Sequence, residues 1–279
     1  MKPFFMIAAS LVCVLSIFTS SAQQPLSINV SFEEVLAVPI RPADARIEYG
    51  PQELQYGELW LPAQSAEEPA PLVILVHGGC WLNSFDVSHT YGFSTALAER
   101  GFAVWALEYR RTGDAGGGWP GTYQDIQAAI QAVSLLEDYA VDTGRVALLG
   151  HSAGGHLALL AGSDPAVSRQ IDLLVGLAAI VDIEQYSQGG NSCQTATSLF
   201  MNGTVQDIPQ AYSEANPAEQ QLYTRTVLFH GDADQIVPSA QAELNGAETR
   251  VFQGAGHFDW IHPDTGAFAD LLILLEELL

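Results

Sequence analysis

The chain has 279 residues, of which 48% are hydrophobic and 15% are charged. This length and composition suit one large domain with a substantial core, and they exclude a disordered or low-complexity protein. Acidic residues outnumber basic ones by 32 to 10, for a formal net charge of −22. Such a balance argues against nucleic-acid binding, which requires clustered basic side chains, and against docking to anionic lipid.

The first 22 residues have the pattern of a secretory signal peptide. Lys2 gives a positive start, residues 4–18 form an almost continuous apolar run, and Ala22 ends a stretch of small residues. The apolar run is shorter than the roughly 20 residues that span a bilayer, so we expect no membrane anchor. We predict cleavage after Ala22, a secreted or periplasmic protein, and no stable membrane insertion afterwards. Loss of Lys2, the only lysine, would exclude Schiff-base and pyridoxal-phosphate chemistry.

Residues 23–69 are predicted to form an N-terminal arm followed by an edge hairpin. Residues 23–45 are polar and contain prolines, so we expect an irregular arm. Residues 46–49 and 55–61 have the pattern of two strands joined by a turn that a Gly-Pro pair opens.

From residue 70 onward, apolar runs typical of buried strands alternate with segments of helical periodicity. The predicted strands are residues 72–76, 102–107, 146–149, 171–178, 226–229 and 249–252, and the predicted helices are residues 89–100, 123–139, 155–161 and 268–279. This alternation predicts an α/β fold with a mostly parallel, doubly wound sheet and the antiparallel hairpin at its edge. Residues 182–222 are polar and break the alternation, so we expect a short cap insertion there.

The strongest motif is Gly-His-Ser-Ala-Gly-Gly at residues 150–155, between a predicted strand and a predicted helix. A serine in such a tight, strained turn exposes its hydroxyl at the carboxyl edge of the sheet, where open α/β folds bind ligands. The flanking glycines let the backbone pass closely. We therefore predict that Ser152 is a nucleophile.

A second motif, His-Gly-Gly-Cys-Trp at residues 77–81, directly follows the strand predicted at 72–76. A tetrahedral oxyanion needs two or three backbone N–H donors, and glycines allow a loop to turn its amides toward the serine. We predict an oxyanion hole formed by the amides of Gly79, Cys80 and Ala153.

These two motifs resemble those of secreted α/β-hydrolases of the esterase group that carries an HGG-x-W oxyanion loop. That group includes hormone-sensitive-lipase-like esterases, feruloyl and acetyl-xylan esterases, and kynurenine formamidase-like enzymes. The resemblance covers roughly residues 70–279. Cys80 stands where lipase-like members have a third glycine, which favours the formamidase and feruloyl-type branch. The resemblance implies an α/β-hydrolase fold and a structural, bracing role for His77.

A serine hydroxyl needs an imidazole as base and a carboxylate to orient that imidazole, in the chain order Ser, Asp or Glu, His in this fold. The segment from His230 to Pro238 resembles the HG-x-x-D-x-x-VP segment of the family, which places the acid at Asp234, with Asp232 as the second choice. His257 lies in a glycine loop after the last predicted strand and is the predicted base.

Several aromatic side chains on or near loops that follow strands are candidates for binding an acyl or aryl group: Trp81, Phe85, Tyr109 and Trp119. For each one, packing in the core or rim is the favoured alternative. Arg110 and Arg111 could hold a substrate carboxylate, but pairing with an acid such as Asp125 is favoured.

Signal cleavage would leave two cysteines, an even pair in an oxidising compartment. Cys80 is in the predicted oxyanion loop and Cys193 in the predicted cap, both above the carboxyl edge of the sheet. We hypothesise a disulfide between them that ties the cap to the oxyanion loop; two unrelated thiols are the alternative.

The leading functional hypothesis is a serine carboxylesterase that hydrolyses a small-molecule ester through an acyl-enzyme. The alternative is an amide hydrolase, kynurenine formamidase-like or prolyl-oligopeptidase-like, because the same triad serves both reactions. A catalytically silent binding protein on the same fold is a minor alternative. Histidines and acids are too scattered to predict a metal site, and no nucleotide or phosphate motif is present, so no cofactor is expected. Natural substrate and oligomeric state are left open.

Overall fold

The computed structural model describes residue 1, residues 28–62 and residues 68–279. Apart from residue 1, the predicted signal peptide lies outside the described residues, and its cleavage stays a prediction. Within the described ranges, no helix combines the length and the apolar character needed to cross a membrane.

Eight strands form one sheet in the order β1-β2-β4-β3-β5-β6-β7-β8. They are β1 Ala45–Glu48, β2 Tyr56–Trp60, β3 Ala70–Val76, β4 Ala103–Leu107, β5 Val141–His151, β6 Leu173–Leu177, β7 Arg225–Gly231 and β8 Glu248–Phe252. The strands from β4 to β8 along this order are parallel, whereas β1 and β2 are antiparallel to their neighbours. The predicted hairpin and the mostly parallel sheet are therefore confirmed.

Helices cover both faces of the sheet. They are α1 Phe32–Ala37, α2 Tyr91–Glu99, α3 Gly121–Gln131, α4 Ala153–Gly162, α5 Pro165–Ser168, α6 Ile183–Tyr186, α7 Ser192–Met201, α8 Pro209–Glu214 and α9 Gly266–Leu278. One apolar cluster joins the sheet to α3 and α4, and another joins it to α2 and α9. This is the doubly wound arrangement that the sequence predicts.

The sequence of the central strand β3 is apolar because both of its faces are covered. Leu72 and Ile74 point into the cluster beneath α3 and α4, and Val73 and Leu75 point into the opposite cluster. Because alternate side chains face opposite sides of a strand, a strand covered on both faces needs apolar residues at every position.

The structure changes two of the predicted elements. The described part of the arm is irregular except for the short helix α1, which begins with a capping box formed by Ser31 and Glu34. The helix predicted at 123–139 ends at Gln131 and is followed by a 3₁₀ turn, Val133–Leu136. In the predicted cap region, the helices α6, α7 and α8 lie between β6 and β7.

Candidate active site

Ser152 lies at the junction of β5 and α4, in a backbone conformation of φ 56° and ψ −121°. An L-residue seldom adopts such a positive φ, so the turn is strained, as a nucleophile elbow requires. The Ser152 amide donates a hydrogen bond of 2.9 Å to the Leu177 carbonyl, which ties the elbow to the end of β6. The side chain lies at the carboxyl edge of the sheet, beside the N-terminus of α4.

Close approach of two backbones explains the glycine two residues after the serine. A Cβ atom at Gly154 would lie 2.2 Å from the carbonyl oxygens of both Val76 and His77. Only glycine lets the first turn of α4 pack against the end of β3 at this distance. The elbow and the His-Gly-Gly loop are therefore held together by main-chain packing.

Asp234 and His257 are brought together from the loops that follow β7 and β8. The Nδ1 atom of His257 lies 2.7 Å from Oδ2 of Asp234, and both residues are buried. The other carboxylate oxygen accepts hydrogen bonds from the amides of Ile236 (2.8 Å) and Val237 (2.9 Å). Burial alone would raise the pKa of Asp234, but the His257 ring and these amides outweigh burial and lower the pKa.

The second-choice acid has a different role. Asp232 is exposed, and its carboxylate accepts a hydrogen bond of 2.6 Å from the amide of Gly254. This hydrogen bond joins the two loops that follow β7 and β8. The residue that contacts the His257 ring is Asp234.

Ser152 and His257 line the same pocket. Within the described residues, no hydrogen bond joins the Ser152 hydroxyl to the His257 ring; in hydrolases without a bound substrate this contact is often long and tightens in the substrate complex. His151 holds the backbone of His257, because its Nε2 lies 2.9 Å from the His257 carbonyl oxygen and donates to it. Burial, with the neighbouring His257 ring, lowers the pKa of His151 well below its usual range, so this imidazole is neutral.

The predicted oxyanion loop has three successive residues with positive φ: Gly79 (114°), Cys80 (54°) and Trp81 (58°). The loop lies directly on the elbow, since a Cβ at Gly78 would be 3.1 Å from Cβ of Ser152. Among the described residues, the amides of Gly79 and Cys80 donate to no acceptor. Two amides that have no internal partner and lie beside the serine are what an oxyanion hole requires.

His77 anchors the peptide unit that carries the Gly79 amide. Its Nδ1 lies 2.7 Å from the Gly78 carbonyl oxygen and donates to it. The C=O and N–H of one planar peptide point in opposite directions, so holding the Gly78 oxygen also fixes the direction of the Gly79 N–H.

Glu108 in turn anchors His77. Its Oε1 lies 3.2 Å from Nε2 of His77, and both side chains are buried. Burial would raise the pKa of Glu108, but the hydrogen bond and charge of His77, the Arg111 guanidinium and the Tyr109 amide outweigh burial and lower the pKa. Glu108 therefore stays ionised in its contact with His77.

The hypothesised disulfide between Cys80 and Cys193 is present in the structure. Cys193 lies in the first turn of α7. The bond therefore joins the cap region to a residue whose amide is one of the two unpartnered donors beside Ser152.

The pocket around Ser152 has a volume of about 470 Å³. Its wall is mainly apolar, and it is formed by Phe32, Gly79, Cys80, Leu82, Phe85, His89, His151, Ser152, Ser192, Cys193, Ile236, His257 and Phe258. The volume lies within the range typical of small-molecule sites.

Of the four aromatic residues predicted for this pocket, only Phe85 lines it. Trp81 is fully buried, because its left-handed backbone turns the ring inward to stack on Phe200 of α7, with centroids 4.9 Å apart. Tyr109 is also fully buried and stacks on His77 at 4.3 Å. Trp119 lies outside the pocket, just before α3, and stacks on Tyr123 of that helix. The packing alternative holds for these three.

The two arginines have structural partners. The guanidinium of Arg110 donates two hydrogen bonds to buried Asp125, at 2.6 Å and 2.8 Å, which confirms the favoured pairing. Arg111 lies 3.4 Å from the carboxylates of both Glu108 and Asp114. Neither arginine lines the pocket of Ser152.

Sequence reasoning missed two aromatic residues of the pocket wall. Phe258 directly follows His257 and could have been found from that position alone. Phe32 is the first residue of α1 in the arm, where only the Ser31–Glu34 capping box signals a helix. No periodicity in the sequence indicates that this arm reaches the site.

Comparison with known proteins finds a matching family model and several individual relatives. The family model described as BD-FAE matches residues 58–247. Esterase LipC of Mycobacterium tuberculosis is 26% identical over 189 residues, which cover 63% of this chain and 46% of LipC. Dipeptidyl aminopeptidase BIII of Pseudoxanthomonas mexicana is 39% identical over 104 residues, 34% of this chain and 14% of the peptidase. The chain thus spans less than half the length of these relatives.

Among solved structures, esterase B from Lactobacillus rhamnosis superposes with a TM-score of 0.72 at 19% sequence identity, covering 88% of this chain and 89% of the esterase. This similarity supports the α/β-hydrolase fold.

Proposed function

Because this chain belongs to the BD-FAE family, we propose that it is a serine hydrolase that cleaves carboxylic esters through an acyl-enzyme. The observation that carries the proposal is the 2.7 Å contact between Asp234 and His257, whose ring lines the same pocket as Ser152. Nδ1 of His257 donates to the ionised Asp234, which leaves Nε2 as the free base.

In the proposed reaction, Ser152 Oγ attacks the ester carbonyl while Nε2 of His257 takes the hydroxyl proton. The charge that develops on the carbonyl oxygen is stabilised by the amides of Gly79, Cys80 and Ala153. Collapse of the tetrahedral intermediate breaks the bond to the alcohol, which receives the proton from His257. Water, deprotonated by the same imidazole, then attacks the acyl-enzyme and releases the acid and Ser152.

The lining of the pocket supports an ester with an uncharged group next to the carbonyl. Apart from histidine, the lining residues carry no ionisable side chain, and Phe32, Phe85 and Phe258 form an aromatic wall. Such a wall binds an aliphatic or aromatic group by burial of apolar surface. We propose a secreted or periplasmic protein with a small-molecule substrate.

A second candidate, amide hydrolysis, is favoured by the local identity to a dipeptidyl aminopeptidase. A peptidase of that type needs a site for the substrate's α-ammonium group. The described pocket offers no Asp or Glu among its lining residues for this purpose. Ester hydrolysis is therefore the better supported activity.

The test is a panel of p-nitrophenyl esters beside aminoacyl anilides and N-formylkynurenine, with wild type, Ser152→Ala and the control Ser198→Ala. We expect ester hydrolysis, and a loss of at least ~10³-fold in kcat for Ser152→Ala alone. A fluorophosphonate probe should label Ser152, as located by peptide mapping. Labelling elsewhere, or full activity without this serine, would overturn the proposal, and a preference for the amides would establish the second candidate.

A further inference from the structure

We propose that the N-terminal arm, residues 28–38, is a specificity element of the active site. In this proposal Phe32 limits the size of the group that the pocket admits, and Asp259 is a positioning residue that holds the arm on the loop of His257. The inference rests on the proposed ester hydrolysis.

The Phe32 ring forms the part of the pocket wall that lies between Phe85 and Phe258. The Phe32 ring lies 5.9 Å from the ring of Phe85 and 5.4 Å from that of Phe258. Phe85 belongs to the side of the oxyanion loop, because a Cβ on Gly79 would lie 2.5 Å from Cβ of Phe85. Phe258 belongs to the side of the imidazole. Phe32 therefore spans the gap between the two halves of the catalytic apparatus.

The arm is held in place by one buried carboxylate. Asp259 is 1% exposed; its Oδ1 accepts a hydrogen bond of 2.7 Å from the Asn29 amide, and its Oδ2 accepts one of 3.2 Å from the Val30 amide. The same Oδ2 accepts a hydrogen bond of 3.0 Å from the amide of Gly256. One side chain thus binds three backbone N–H groups, two from the arm and one from the residue before His257.

The arm also makes direct contact with this loop. A Cβ at Gly256 would lie 2.1 Å from Oδ1 and 3.3 Å from Cα of Asn29, so the arm packs closely against this glycine. Asn29 has a φ of 53°, a left-handed conformation that asparagine tolerates better than most residues. Val30 and Val35 are buried in the core cluster beneath, which fixes the two ends of the turn that presents Phe32.

The position of Phe32 bears on the size of the substrate group that the pocket admits. Phe32 is only partly buried, and its ring closes a pocket of about 470 Å³. Truncation to alanine would extend the pocket by the space of a phenyl ring, which several methylene groups of a longer ester could fill. Each methylene that gains an apolar contact favours the longer substrate, because specificity for chain length follows differences in buried apolar surface.

The experiment measures kcat/KM for p-nitrophenyl acetate through octanoate, and for a matched series of alkyl acetates. The ratio for the longest to the shortest substrate should rise about tenfold in Phe32→Ala and fall in Phe32→Trp, in at least one of the two series. Leu36→Ala, an exposed residue on the same helix that does not line the pocket, is the control and should leave both ratios unchanged.

Asp259 is tested by the same ratio. Asparagine has one acceptor oxygen and would place an NH₂ group against backbone N–H donors, so Asp259→Asn should loosen the arm and shift the ratio as Phe32→Ala does. The exposed Asp264→Asn is the matched control. Ester hydrolysis with ratios unchanged in Phe32→Ala and Phe32→Trp would overturn this inference alone. A wild type that hydrolyses no ester would overturn the proposed function and this inference with it.

Discussion

His257 and Asp234 are joined by a contact of 2.7 Å whose geometry is fixed from both sides. The carboxylate is oriented by the amides of Ile236 and Val237, and the backbone of His257 is held by the ring of His151. The contact with Asp234 therefore restricts rotation of the imidazole about the Cα–Cβ and Cβ–Cγ bonds of His257. Preorganisation of this kind lets the developing imidazolium form without rearrangement.

Replacing Asp234 by asparagine should remove most of the activity. Asparagine carries no charge and can present its NH₂ group to Nδ1, so it neither selects the correct tautomer of His257 nor stabilises the imidazolium. We expect kcat for ester hydrolysis to fall by about 10³- to 10⁴-fold. The matched control is Asp232→Asn, two residues away in the same loop, which should retain activity within a few-fold. Equal losses in both variants would show that the loop, not the carboxylate of Asp234, is what matters.

The positions of the proposed triad could be predicted in part because each residue follows a strand that the sequence predicts. Ser152 comes directly after β5, Asp234 after β7 and His257 after β8. In a parallel sheet the carboxyl ends of the strands lie along one edge, so residues far apart in the chain are expected to meet. Hydrophobic patterning predicts this shared edge, whereas the motif at residues 150–155 and the resemblance of residues 230–238 to a family segment single out the individual residues.

The pocket wall could not be predicted in the same way. Trp81 follows a strand too, but the left-handed backbone at Cys80 and Trp81 sends its ring into the core. Phe32 lines the pocket from an arm whose amides are bound by the Asp259 carboxylate and whose valines are buried in the core. Both outcomes depend on tertiary contacts between segments distant in sequence, and periodicity does not encode these contacts.

The Glu108→Gln variant tests whether Glu108 holds the oxyanion loop in position through His77. Glutamine preserves the shape of the side chain but removes the charge that faces Nε2 of His77. His77 should then hold the Gly78 carbonyl less firmly, so the Gly79 amide is less well aligned with the oxyanion. We expect kcat to fall about 10- to 100-fold with little change in KM, because the oxyanion forms only in the transition state.

The control for this variant is Glu137→Gln, an exposed residue outside the site. Circular dichroism and thermal unfolding would check that both proteins are folded. A rise in KM at constant kcat would contradict the proposed bracing role of Glu108.

The Cys80–Cys193 disulfide should contribute to both stability and activity. It closes a loop across a sequence separation of 113 residues, and bonds of this kind stabilise folded proteins by about 2–5 kcal/mol. Cys193→Ser should lower the melting temperature and also lower kcat, since the Cys80 amide is a proposed oxyanion donor. Thr195→Ala, an exposed position on the same helix, is the control. Peptide mapping without reductant should recover the linked peptides; two free thiols would refute the bridge.

Stability should decline as the pH falls below neutrality, and His156 allows the cause to be tested. Its Nε2 donates to the Ala215 carbonyl at 2.7 Å, its Nδ1 accepts from the Trp81 indole at 3.3 Å, and burial lowers its pKa to about 4. Between this value and the ordinary pKa of 6.5, the unfolded chain binds a proton that the folded protein does not. The free energy of unfolding therefore decreases as the pH is lowered from 6.5 to about 4, by about 3 kcal/mol over the full shift.

His156→Gln keeps a donor for Ala215 and an acceptor for Trp81 but does not titrate. The variant should be less stable than the wild type at pH 7, and this difference should shrink as the pH approaches 4. Urea unfolding at pH 7, 6, 5 and 4 measures both curves, with His262→Gln as the control at a partly exposed histidine. Parallel curves for wild type and His156→Gln would mean that protonation of His156 does not drive the loss of stability in acid.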